Sequence, residues 1–309
     1  MACLVKAVYV RSKEQKLAQL WYESFNFEIH MDLMHISKVH GVIFKFDDSK
    51  AKTNNGHLSL EETPAYVIAL RGTDDSYDIW HDLRMLFERL SCCNRVSTST
   101  ETVKDVLIDQ KMENRHKIWL AGHSLGATIA TYVGLSIAET NGIYLKSFLF
   151  NPPFTKYNED INNLRIPYFK ILRMPNFVIT GIRNIAGVLF RPLMTKAEDD
   201  SNDFKNIQEW IPHLFVNPND LICNGFIGYF ENKKKFKLMK PGIIFTNGKR
   251  NLYRFPWKVD KHSTNLLPSG RLITNTSKLD NYSHALRQWW RDDLELDYKD
   301  YKYIFQHDN

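Results

Sequence analysis

The residues with the clearest capacity for chemistry are Gly122, His123, Ser124, Leu125 and Gly126, inside the run KIWLAGHSLGATIA. A serine hydroxyl is a weak nucleophile until a base sits beside it. The G-x-S-x-G spacing carries the serine on a sharp strand-to-helix turn, which lifts the hydroxyl above the end of a sheet. Gly122 and Gly126 leave room for that turn, and the amide of Leu125, at the start of a helix, can donate to an oxyanion. The surroundings suit this reading. Residues 117–121 form a short apolar strand, and residues 127–139 read as a buried helix of small apolar residues.

Such a serine needs a histidine as base and an acid to orient it. The chain order Ser, acid, His is the one this elbow uses. Downstream acids are Asp203, in an acidic run, Asp220, in the turn NPNDLI, and Asp260, in a polar hairpin-like stretch. An aspartate in a turn is often only a turn former, so the residues alone leave three acids open. The candidate histidines are His213 inside a strand, His262 in a loop, and His284, which follows a turn and opens an amphipathic helix. His123, inside the elbow, reads as packing support rather than as the base.

These groups require elements to hold them. Residues 41–46 and 66–70 are β-rich and predict an early antiparallel pair, with a polar loop between them. Residues 15–35 read as a helix, as do 80–90 and 101–110, while 91–99 are small and polar. Strands are expected at 117–121, 145–150 and 211–216, a late hairpin at 243–246 and 252–255, and an aromatic-rich helix at 282–296. Alternation of strand and helix signals argues for a mostly parallel α/β sheet flanked by helices. No linker breaks the chain, so residues 1–309 are expected to form one domain, with 170–200 as a helical lid or insertion.

Composition bounds the function. The chain has 309 residues, 43% hydrophobic and 25% charged, enough for one large core. The net charge of +6 is a mild excess. It is too weak to argue for nucleic acid without a motif, and it suits contact with an anionic membrane or lipid-droplet surface. Lys233, Lys234, Lys235, Lys237 and Lys240 form the one basic run, read as a solvated face. No run of about 18 apolar residues suggests a membrane span. The first sixteen residues make a poor signal peptide, so a cytoplasmic protein is expected. Cys3, Cys92, Cys93 and Cys223 have neither disulfide-framework nor metal-ligand spacing. Reduced thiols are therefore expected, and neither a metal nor a cofactor.

GHSLGA, together with the upstream block YVIALRGTDDSYDIWHDL, resembles the class 3, or fungal-type, lipase family of the α/β-hydrolase fold, in particular its plant lipase-like members. The likeness spans most of residues 40–290. It implies that Thr73, after Arg71 and Gly72, supplies a second oxyanion amide, and it matches Trp80 and Asp82 to the family's tryptophan and aspartate. It implies Asp220 as the acid and His284 as the base. Two features depart from the family. The usual H-x-G-F segment is missing between Asp82 and the elbow, and Asn151-Pro152-Pro153 stands where G-S-P is usual. The plant relatives are sometimes labelled GDSL-type, yet the chain contains no G-D-S-L.

The resemblance implies a serine esterase or lipase that hydrolyses triacylglycerol or related acyl esters through an acyl-enzyme on Ser124. The alternative is a catalytically silent lipase-like signalling or interaction protein; acyl transfer on the same machinery is a third reading. Residues 177–194, apolar but carrying Arg183 and Arg191, are expected either to form the acyl-binding wall or lid or to pack as a helix on the sheet.

Overall fold

A computed structural model describes residues 1–13, 22–35, 37–54, 63–72, 91–110, 112–154, 207–238, 244–246, 249–251, 267–277 and 283–302. The expectations for Thr73, Trp80, Asp82, Asp203, Asp260, His262 and the lid at 170–200 lie outside these residues.

The strands are β1 Phe27–His35, β2 Lys38–Phe46, β3 Tyr66–Leu70, β4 Ile118–His123, β5 Lys146–Phe150, β6 His213–Val216, β7 Ile244–Thr246, β8 Lys249–Asn251, β9 Gly270–Asn275 and β10 Leu296–Tyr301. The helices are α1 Ala2–Ser12, α2 Asp48–Asn54, α3 Ser91–Asp109, α4 Leu125–Asn141 and α5 Gly225–Leu238. Eight strands form one sheet in the order β1-β2-β3-β4-β5-β6-β9-β10, and β7 pairs with β8 separately. Strands β3, β4, β5, β6 and β9 run parallel, and an antiparallel strand or pair closes each end. This is the α/β-hydrolase architecture expected from the sequence, including the early antiparallel pair β2–β3.

The strands alternate between two apolar faces. Ile68 and Leu70 of β3 and Ile118 and Leu120 of β4 enter one core, with Val103, Val106, Leu107, α4 and α5. Val67, Ala69 and Ala121 enter the other, with Leu4, Val5, Val8 and Tyr9 of α1 and with Leu286 and Trp289. The parallel strands follow one another in chain order, and same-handed crossovers place their connecting helices on one face. The opposite face must be covered by something else, and α1 covers it.

Four sequence expectations need correction. Residues 27–35 are strand, not helix. Phe27, Ile29, Met31 and Leu33 alternate with Glu28, His30 and Asp32, a period of two, and β1 pairs with β2 from Phe27↔Phe46 to His35↔Lys38. The helix at 101–110 begins earlier, so that the small polar residues from Ser91 onward are its first turns. In the late hairpin the second strand begins earlier, Ile244–Thr246 pairing with Lys249–Asn251, and residues 252–255 lie outside the described residues. The expected helix at 282–296 is instead a turn at 283–284, a 3-10 helix Leu286–Trp290 and then β10, which pairs with the unanticipated strand β9.

Candidate active site

Ser124 sits between β4 and α4 with φ 54 and ψ −126. For a residue with a Cβ this is strained, at a cost of about 1–3 kcal/mol that the surroundings must impose. They do so with backbone bonds. The Ser124 amide donates to Phe150 O at the end of β5 (3.0 Å), and Ser124 O accepts from the amides of Ala127 (2.9 Å) and Thr128 (3.2 Å). The two flanking glycines are required by close approach. A Cβ on Gly122 would lie 2.3 Å from Gly126 O, and one on Gly126 would lie 2.3 Å from Leu70 O. The elbow is therefore wedged between the end of β3 and the start of α4. Leu125 is the first residue of α4, so its amide has no partner within the helix.

Asp220 lies in the turn after β6 and is buried. His284 lies in the turn after β9, and its Nδ1 is 2.8 Å from Asp220 Oδ2. Because a carboxylate only accepts, Nδ1 donates, and in the neutral ring the lone pair falls on Nε2. Among the described residues, His284 Nε2 is buried and makes no hydrogen bond. Asp220 also receives the Ile222 amide on Oδ1 (3.0 Å) and the Cys223 thiol (3.0 Å) and Asn151 Nδ2 (2.7 Å) on Oδ2. Burial by itself would raise the carboxyl's pKa, but the bonds from His284, Cys223 and Asn151 outweigh it and hold Asp220 below the usual range. Burial and the adjacent Asp220 charge push the Cys223 thiol well up, so it stays protonated and donates.

Both ring nitrogens of His123 are engaged. Its Nε2 is 2.9 Å from His284 O and its Nδ1 is 2.9 Å from Tyr9 Oη. Burial first, then neighbouring His284, lowers its pKa to about 3, so it is neutral near pH 7. This contact also brings the elbow against the Asp220–His284 pair, with the two imidazole rings 5.1 Å apart. His213, a rival base in the sequence, lies in β6 with its ring against Phe148. Gly72, the last described residue before Thr73, packs directly on the elbow. A Cβ there would stand 3.0 Å from Ser124 Cβ and 3.0 Å from His123 O.

Asn151 was not among the residues singled out by chemistry. It is fully buried, has φ 46, and follows β5 immediately. Its Nδ2 reaches both Asp220 Oδ2 and Ser283 O (3.1 Å), and its Oδ1 accepts from Trp289 Nε1 (2.7 Å). Gln288 extends the same network. It donates to Ser283 O (2.6 Å) and Ala285 O (3.0 Å), and it accepts from Asn217 Nδ2 (2.6 Å) and Asn275 Nδ2 (3.1 Å). The His284 turn is thus tied to the ends of β5, β6 and β9. The available signal was a polar residue closing the apolar run SFLF, at the position where the family pattern was broken.

Among the described residues no group of three or more His, Cys, Asp or Glu could hold a metal ion. None of the described helices is long and apolar enough to cross a membrane.

The family model Lipase (class 3) matches residues 67–155, which contain β3, the elbow and Asn151. A GDSL esterase/lipase of Arabidopsis thaliana is 28% identical, covering 97% of this chain and 90% of that protein. Among solved structures, the lipase from Rhizopus microsporus var. chinensis is similar with TM-score 0.41 and 14% identity, over 72% of this chain and 66% of that one. An esterase of Pyrobaculum calidifontis is similar with TM-score 0.37 and 11% identity, over 75% of this chain and 78% of that one. The resemblance to class 3 lipases read from the sequence stands.

Proposed function

We propose that the protein is a serine carboxylic-ester hydrolase acting on lipid-like acyl esters, with Ser124 as nucleophile, His284 as base and Asp220 as the orienting acid. One observation carries this reading. Asp220 locks the His284 tautomer and leaves Nε2 as an unengaged lone pair, on a loop bonded to the strained elbow that bears Ser124. His284 Nε2 takes the Ser124 proton as Oγ attacks the ester carbonyl. The amides of Leu125 and Thr73 receive the oxyanion, and the contact of Gly72 with Ser124 supports Thr73 in that role. The protonated imidazole then gives its proton to the leaving alcohol. Water, activated by the same nitrogen, cleaves the acyl-enzyme and restores Ser124.

The class 3 lipase match and the esterase/lipase relative support an ester as substrate. Triacylglycerol or a related acyl ester is the proposed class, and the net charge of +6 suits contact with an anionic lipid surface. The proposal treats the chain as one catalytic unit, because the strands of a single sheet carry the elbow, Asp220 and His284.

The test is hydrolysis of p-nitrophenyl esters together with fluorophosphonate labelling. Ser124→Ala should remove both while the circular dichroism spectrum is unchanged. Asp220→Asn and His284→Ala should each lower kcat by ~10³-fold or more. Undiminished turnover in a folded Ser124→Ala protein would place the nucleophile elsewhere.

A further inference from the structure

Tyr9 belongs to α1, far in sequence from every residue of the proposed triad, yet its hydroxyl lies at the centre of the site's supports. Tyr9 Oη is 2.9 Å from the Gly72 amide and 2.9 Å from His123 Nδ1, and His123 Nε2 is 2.9 Å from His284 O. The direction of each bond is forced. A carbonyl can only accept, so His123 Nε2 carries its hydrogen. Neutral His123 then has its lone pair on Nδ1, and Tyr9 must donate there. The Tyr9 oxygen in turn accepts from Gly72.

We propose that Tyr9 and His123 are positioning residues that tie together three parts of the site: Gly72 beyond the end of β3, the Ser124 elbow and the His284 turn. The proposal rests on the hydrolase reading above. Gly72 immediately precedes the residue proposed as oxyanion donor, His123 immediately precedes the nucleophile, and His284 is the base. The base is therefore held at two points, its ring by Asp220 and its backbone carbonyl by His123. Oxyanion donors and base must match the reacting atoms to about 0.5 Å, and a displacement near 1 Å can cost ~10²-fold in rate.

Packing alone does not account for a tyrosine at this position. The ring is buried with the apolar residues of α1 and meets His123 edge-on, its centroid 5.8 Å away. A phenylalanine would fill the same space. What the hydroxyl adds is the pair of bonds to Gly72 and His123, neither of which the core requires.

Tyr9→Phe removes those bonds and keeps the ring. With a short p-nitrophenyl ester, kcat and the fluorophosphonate labelling rate should fall ~10–100-fold while KM stays within twofold. Leu4→Ala, on the same helix and buried but outside the tie, should lower the melting temperature and leave kcat unchanged. A folded Tyr9→Phe protein with wild-type kcat overturns the proposal. Should Tyr9→Phe fail to fold, His123→Phe serves instead, since its ring keeps the bulk but can neither accept from Tyr9 nor donate to His284 O. Here too a wild-type kcat overturns the proposal. A second readout does not depend on activity. Hydrogen–deuterium exchange of the Gly72 amide should speed at least tenfold in Tyr9→Phe, and unchanged protection there counts against the tie. Absence of Ser124 labelling in the wild-type protein would refute the hydrolase reading, while the exchange result would still decide whether Tyr9 holds Gly72.

Discussion

Asn151 shows how much of the proposed chemistry rests on a residue that does not react. Its amide nitrogen is shared between the acid and the carbonyl beside the base, so the acid and the base's turn share one anchor. Its left-handed backbone, φ 46, aims the side chain inward from the end of β5. Asn151→Ala should leave Asp220 without one charge-assisted donor and Trp289 without its acceptor. We expect a loss of ~1–3 kcal/mol in urea unfolding and about 10²-fold in kcat. Retention of full kcat would mean that Cys223 and the Ile222 amide suffice to orient Asp220. The elbow spacing singled out Ser124 in the sequence, and the family resemblance pointed to Asp220 and His284, because their chemistry restricts residue type. Asn151, Gln288 and Cys223 were given no role in the site, because a residue of these types signals nothing about the site until its burial and partners are known.

At the scale of elements, the elbow is a three-way contact between β3, β4 and α4. Gly126 marks where α4 meets the end of β3, and added bulk there has nowhere to go because backbone lies on both sides. Gly126→Ala should push α4 outward and cost about 3 kcal/mol or more, read as a fall in urea midpoint together with lost activity. A wild-type midpoint would show that the helix start can shift at little cost. The strands that period and burial both marked, β3, β4 and β5, were legible because two-sided burial demands unbroken apolar residues. β1 and β10 were not, because an edge strand buries little. In β10 Asp297, Tyr298, Lys299 and Asp300 are all exposed, and a sequence of that kind looks like a polar tail.

Across the whole molecule, buried histidines predict sensitivity to acid. His40 and His123 are almost fully buried, and burial is the largest cause lowering each pKa to about 3. The unfolded chain takes up these protons near pH 6.5 and the folded chain does not, so stability falls as pH drops from 6.5 toward 3. Each histidine removes about 1.4 kcal/mol per pH unit in that window, which is large against a total of about 5–15 kcal/mol. Asp220, held below its ordinary value, adds its own loss only at lower pH, below the range where an unfolded carboxyl titrates near 3.8. The urea midpoint should fall steeply between pH 6.5 and 5, and His40→Gln should flatten that slope. A midpoint constant over this range would contradict the expectation.

The sequence by itself determined the parallel α/β core, the elbow around Ser124 and, through family resemblance, the pairing of Asp220 with His284. Each is written in local residue types: apolar runs, two glycines at fixed spacing, and a histidine and aspartate in recognisable surroundings. Only the tertiary structure decided what supports them. Residues 1–12 carry no chemical motif and were weighed only as a leader, yet as α1 they cover the exposed sheet face and bring Tyr9 to the elbow. Asn151, Gln288 and Asn217 became a buried network only once β5, β6 and the His284 turn were brought together. A hydrogen bond between residues 114 positions apart, as between Tyr9 and His123, leaves no trace in local sequence pattern. It exists because the chain's return across the sheet closes that distance.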